Sequence, residues 1–128
     1  MKHLFSFFVI IGLALSSCQS QPSGGLLAAK AFNEKTKTTK DAVILDVRTP
    51  EEFAAGYIDK AINIDFYNDG FADEVKKLDK SKSYFVYCKA GGRSASAAEL
   101  MRKAGFTKVY DLDGGITSWE ETKLPLVH

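Results

Sequence analysis

SYFVYCKAGGRSASAAELMRKAG, residues 83–105, holds a strand, a turn and a helix in succession. Residues 83–88 form an apolar, aromatic-rich run of the kind that fills a buried parallel strand. From Ser94 the period changes. Ala97, Leu100, Met101 and Ala104 recur as one helical stripe, Ser94 stands as the N-cap, and Gly105 stops the helix. The connection holds Cys88, two glycines, Lys89 and Arg93, so a thiol sits where a strand ends and a helix begins.

The same alternation extends in both directions. Residues 26–37 (LLAAKAFNEKTK) read as a helix, and 42–46 (AVILD) as a buried strand. Pro50 suits a first helical turn, Glu51 and Glu52 complement the dipole there, and Gly56 ends that short helix. Residues 61–65 read as a second strand. A short helix over 69–79 carries Phe71, Val75 and Leu78 on one side. Residues 108–112 (KVYDL) give the fourth strand, and GITSWEET (115–122) a last turn or two of helix. Repeated strand–helix units of this size predict an α/β fold: one mostly parallel central sheet with helices on both faces.

The chain has 128 residues, 45% hydrophobic and 26% charged, which suits one globular domain. Its first 17 residues read as a leader. Lys2 and His3 precede an apolar run, Leu4–Leu15, that is too short to span a bilayer but has the length of a secretory core. Leu15-Ser16-Ser17-Cys18 resembles the lipobox of bacterial lipoproteins, in which the cysteine is acylated and becomes the mature N-terminus. On that resemblance residues 1–17 are removed, residues 18–25 form a lipidated flexible tether, and the domain covers 26–128. The protein is then expected to be exported, lipid-anchored to a bacterial membrane and facing the periplasm. Without Lys2 the chain carries 16 basic and 16 acidic residues, which argues against nucleic-acid binding. A monomer is expected. With Cys18 acylated, Cys88 has no partner and stays a free thiol.

In an open parallel sheet, ligands bind beyond the carboxyl ends of the strands, which is where Cys88 falls. The loop Lys89-Ala90-Gly91-Gly92 has one large side chain, so its amides can turn inward as an anion-binding nest. The next helix adds the positive end of its dipole, and Lys89 and Arg93 add charge. All four favour the thiolate over the thiol. A cysteine that merely closes a strand would need neither the glycines nor the arginine.

These residues resemble the rhodanese-like domain. Cys88-Lys89-Ala90-Gly91-Gly92-Arg93-Ser94 is similar to that family's active loop. Asp46-Val47-Arg48-Thr49-Pro50-Glu51-Glu52-Phe53 is similar to its first signature, and Gly56-Tyr57-Ile58 with Ala61-Ile62-Asn63-Ile64 to its second. Leu112-Asp113-Gly114-Gly115, with Trp119 and Pro125, resembles its closing motif. Tyr57 replaces the family's usual histidine, and Asp59-Lys60 its usual Pro-Gly.

The resemblance implies a sulfurtransferase. Cys88 would be the catalytic nucleophile that takes sulfur from a small anionic, thiosulfate-like donor and passes it to a thiol or cyanide acceptor. Lys89, Ala90, Gly91, Gly92, Arg93 and Ser94 would bind the substrate. Asp46 and Arg48 read either as support for the active loop or as a surface ion pair worth little. Trp119 reads as a core aromatic. No metal or cofactor is expected. A sulfur carrier or redox-sensing module without turnover is the alternative. A phosphatase is disfavoured: four residues separate Cys88 from Arg93, whereas related phosphatases have five and a wider cradle.

Overall fold

The computed structural model of the chain describes residues 23–128. The leader, the lipobox and Cys18 lie outside the described residues. Five strands, β1 (Ser23–Leu27), β2 (Ala42–Asp46), β3 (Ile62–Asn63), β4 (Ser83–Tyr87) and β5 (Lys108–Leu112), form one sheet in the order β1-β5-β4-β2-β3. Every pairing between them is parallel. Five helices connect or follow them: α1 (Ala29–Thr38), α2 (Pro50–Ala54), α3 (Phe71–Lys76), α4 (Gly92–Lys103) and α5 (Gly115–Glu121). Among the described residues no helix is long and apolar enough to cross a membrane.

β4 is central, and all five of its residues are buried. Because side chains alternate along a strand, it feeds two cores. Tyr84, Val86 and Cys88 join Phe71, Val75, Ala97 and Met101 under α3 and α4. Phe85 and Tyr87 join Phe32, Ile116 and Trp119 under α1 and α5. Trp119 is 2% exposed, meets Phe32 edge-on at 6.3 Å and donates its indole N–H to the Pro125 carbonyl at 2.9 Å. It is a core aromatic, as its sequence context suggests.

Three elements depart from the sequence reading. Residues 23–25, read as tether, and Leu26 and Leu27, read as helix, form the edge strand β1, and α1 begins only at Ala29. β1 runs beside β5 from Ser23 opposite Lys108 to Leu27 opposite Leu112. An edge strand of this composition is set by its neighbour's free backbone groups, not by its own periodicity. Second, α4 starts at Gly92 with Gly91 as its N-cap, so Ser94 is not the cap. Third, β3 is two residues long where the apolar pattern suggested five.

Candidate active site

Cys88 leaves β4 pointing into the α3/α4 core, 1% exposed. The chain then turns at Gly91, whose φ of +114° is left-handed and suits a residue without a Cβ. That turn carries the Gly91 amide back to the thiol, where it donates to Sγ at 3.1 Å. It also starts α4 directly beyond the sulfur. Ala95 N–H is bonded to the Gly91 carbonyl at 3.1 Å, while the amides of Gly92, Arg93 and Ser94 precede the first intrahelical acceptor. The strand–turn–helix sequence thus delivers a backbone donor and a helix N-terminus to one sulfur atom.

Ser94 lies beneath the sulfur. It is fully buried, accepts a hydrogen bond from Cys88 Sγ at 3.4 Å and donates to the Gly91 carbonyl at 3.2 Å. The sequence assigned it to substrate binding; in the structure its hydroxyl is buried against the thiol and the Gly91 carbonyl. Lys89, Ala90 and Gly92 are exposed, and Gly91 and Arg93 are partly so. Lys89 shares a shallow cleft with Arg48, Glu52, Gly56, Thr117 and Glu120.

The loop is held from outside by the N-terminus of α5. Ile116 N–H donates to the Cys88 carbonyl at 2.9 Å, and Thr117 N–H to the Lys89 carbonyl at 3.1 Å. This docking requires Gly115: a Cβ there would stand 2.4 Å from the Lys89 oxygen and 2.6 Å from the Cys88 oxygen. The closing motif Leu112-Asp113-Gly114-Gly115 therefore serves the loop after β4.

Arg93 grips α2. Its Nη1 and Nη2 donate to Glu52 Oε1 at 2.7 Å and Oε2 at 3.1 Å, a bidentate pair. The Arg93 hydrogen bond is the main reason that the Glu52 carboxyl is held down at about 2. Tyr67 stacks on the other side, its ring 5.3 Å from the guanidinium carbon. Arg93 is therefore a tether for the loop with its charge compensated, not a free cation facing the thiol. Sequence reasoning placed Glu52 at a helix N-terminus, where it indeed completes a capping box with Thr49. Its second partner, 41 residues away, left no local signal.

Asp46 and Arg48 match neither of their two readings. Asp46 is fully buried and Arg48 is 5% exposed, so this is no surface pair. Nor does it bond the Cys88 loop. Arg48 Nε and Nη2 donate to the Asp46 carboxylate at 2.7–3.1 Å, and Nη2 also donates to the Gly56 carbonyl at 2.7 Å. The guanidinium lies over the Tyr87 ring, whose hydroxyl accepts the Ile58 N–H at 3.1 Å. Alternation along β4 sends Tyr87 and Cys88 to opposite faces, so this clamp serves the 56–58 segment instead. Tyr57 in that segment stacks on Phe53 at 4.2 Å. Lys60, standing where the family usually has glycine, adopts a left-handed φ of +68°.

Among the described residues Cys88 is a free cysteine, and no group of three or more His, Cys, Asp or Glu side chains is placed to hold a metal ion.

Fold and site together define a class: a parallel α/β domain with one cysteine in a glycine-turned loop between a central strand and a helix. The family model described as the Rhodanese-like domain matches residues 28–122, and the chain belongs to that family. It is 28% identical to a sulfurtransferase of Allochromatium vinosum over 99 residues, 77% of this chain and 91% of that protein. It is 38% identical to thiosulfate sulfurtransferase GlpE of Pseudomonas entomophila over 81 residues, 63% of this chain and 72% of that one. Among solved structures it is similar to a rhodanese-related protein of Thermoplasma volcanium. That pair shares 36% identity with a TM-score of 0.70, over 79% of this chain and 95% of the other.

Proposed function

We propose that the domain is a sulfurtransferase that carries sulfane sulfur on Cys88. One observation carries this reading: the Gly91 amide aimed at the Cys88 sulfur from 3.1 Å, in a loop that opens a helix. Such donors stabilise a thiolate and, one bond further out, the terminal sulfur of a persulfide. Membership of the rhodanese-like family, and the names its relatives carry, support the same reading.

Cys88 attacks the outer sulfur of a thiosulfate-like donor. A new S–S bond forms as the bond to the sulfite sulfur breaks, and sulfite leaves with the electron pair. A thiol or cyanide then attacks the terminal sulfur and restores the thiolate. Lys89, exposed at the rim, draws the anionic donor in, while Arg93 and Glu52 hold the loop in shape.

The test is direct. After incubation with thiosulfate, the tryptic peptide spanning 83–89 should gain the mass of one sulfur, which cyanide removes; Cys88→Ser should abolish both the adduct and turnover. A folded protein that acquires no sulfur overturns the assignment. We also infer from the lipobox resemblance that Cys18 is acylated and holds the domain at a membrane, facing the periplasm. Mass analysis of the N-terminal peptide from the full chain in a bacterial host checks this. An unmodified Cys18 overturns it.

A further inference from the structure

The charges of this chain cancel in number but not in place. Residues 23–128 hold 16 basic and 16 acidic side chains. The strand register sets the amino ends of β1, β5, β4 and β2 side by side, with Ser23 opposite Lys108, Tyr84 opposite Val109 and Ala42 opposite Ser83. The turns 39–41, 77–82 and 104–107 close onto that end, because each leads from a helix into the start of a strand. They carry Lys40, Lys77, Lys80 and Lys82, all exposed. Lys76, Arg102 and Lys103 stand in the last turns of α3 and α4 beside them. At the carboxyl end of the sheet the balance reverses: Glu51, Asp69, Asp73, Glu74 and Asp113 are exposed there against Lys30 and Lys89.

The cations adjoin one another on the α3/α4 side. Lys76 and Lys103 line one shallow groove between those helices. Lys80 Nζ lies 5.7 Å from the centre of the Phe106 ring, and Lys108 Nζ donates to the Ser81 carbonyl at 2.9 Å. Among the described residues Lys103 alone of this group has a carboxylate in ion-pair reach, Glu99 at 3.0 Å. Asp41 and Asp79 are the acids of these turns, and Asp79 already accepts from the Ser81 N–H at 2.9 Å and its hydroxyl at 2.7 Å. Helix dipoles account for cations in the last turns of α3 and α4. They do not account for Lys40, Lys80 and Lys82, which lie outside any helix. A chain of no net charge whose two ends differ in sign takes an orientation beside a charged surface.

We propose that this basic end of the sheet is a docking face for an anionic lipid surface. Apart from Arg102 its cations are lysines, compact charges on flexible stems that can follow a fluid layer of headgroup phosphates without fixed geometry. Phe106, the aromatic among them, is 2% exposed, so no nucleic-acid base can stack there. The position of β1 supports the same occupant. Ser23 opens that strand at this end, five residues after Cys18. Five residues reach about 18 Å at most, roughly two Debye lengths at physiological salt. A lipid on Cys18 therefore brings the lysines within range of the headgroups and leaves the acidic end, with the Cys88 loop, facing away. That orientation rests on the reading of Cys18 as acylated, but the attraction itself rests on the charge pattern.

The test compares vesicles of phosphatidylcholine alone with vesicles that also contain phosphatidylglycerol, using the full-length protein from a bacterial host. A water-soluble amine-acylating reagent, read by peptide mass, reports which lysines the surface covers. Anionic vesicles should slow the labelling of Lys80 and Lys82 by about fivefold or more and leave Lys30 and Lys89 unchanged, and molar salt should erase the difference. Lys80→Gln with Lys82→Gln should lower the preference for anionic vesicles by about tenfold or more. Lys30→Gln with Lys89→Gln, the same change of charge at the other end, should lower it by less than about twofold. Equal labelling of the two ends overturns the proposal, as does a folded Lys80/Lys82 variant that partitions like wild type. A DNA duplex that shields these lysines better than the anionic vesicles overturns the lipid assignment. An unmodified Cys18 with the shielding intact would count against the anchor alone.

Discussion

Two arginine–carboxylate pairs stand near the carboxyl end of the sheet, and their surroundings give them different consequences. Asp46 and Arg48 lie two residues apart and are sealed under the α1/α5 face, where the guanidinium also holds Gly56. Glu52 and Arg93 lie 41 residues apart, with side chains 29% and 16% exposed, and join α2 to the Cys88 loop. The first pair is scaffold and the second positions the candidate site. What a charge pair does is decided by the backbone its third contact reaches.

The largest effect should follow from breaking the scaffold pair. Arg48→Met leaves Asp46 charged, buried and without its main donor, and should cost about 3–5 kcal/mol of stability in urea unfolding. Sulfur loading per folded molecule should hardly change, because the pair makes no hydrogen bond to the loop. A loss under about 1 kcal/mol would mean that the pair is wetter than its burial implies.

Arg93→Gln should show the reverse profile. Its stability cost should stay below about 1 kcal/mol, as for a pair partly open to solvent. Sulfur loading should fall by about tenfold to a hundredfold, the scale that misplacing a reactive group entails. Equal effects on stability and loading would erase the contrast between the two pairs.

Acid should weaken the second pair. The Glu52 carboxyl, held at about 2 against an ordinary 4.5, favours the folded state only while ionised. Its contribution is therefore full above about pH 4.5 and vanishes as pH falls toward 2. The stability gap between wild type and Glu52→Gln should close over that window.

The smallest effect concerns the segment that Arg48 clamps. Lys60 holds a left-handed φ that disfavours any L side chain, so Lys60→Gly should gain about 1 kcal/mol with sulfur loading unchanged. A loss of stability would show that the lysine side chain compensates for its backbone.

β2 and β4 were legible because a buried strand reads as an apolar run, β5 because Val109, Tyr110 and Leu112 outweigh Lys108 and Asp111, and β4 ends one residue before a cysteine whose loop has a distinctive spacing. β1 was not legible: Ser23-Gly24-Gly25 has no periodicity, and its extended state comes from β5 alongside. The adjacency of Asp46 and Arg48 was plain, but their burial depended on Tyr87 and Gly56 arriving from elsewhere. The Glu52–Arg93 link spans too much chain for any local pattern to reveal. Ser94 suited a cap by residue type, and only the left-handed turn at Gly91 shows that the helix had already begun.

The edge strand also orients the molecule. Since β1 runs in the same sense as β4, Ser23 sits at the pole opposite the one where Cys88 emerges. Five residues of strand separate those poles by about 16 Å. The backbone thus enters the sheet at the end away from the Cys88 loop, and the exposed rim residues Lys89 and Ala90 lie at the other.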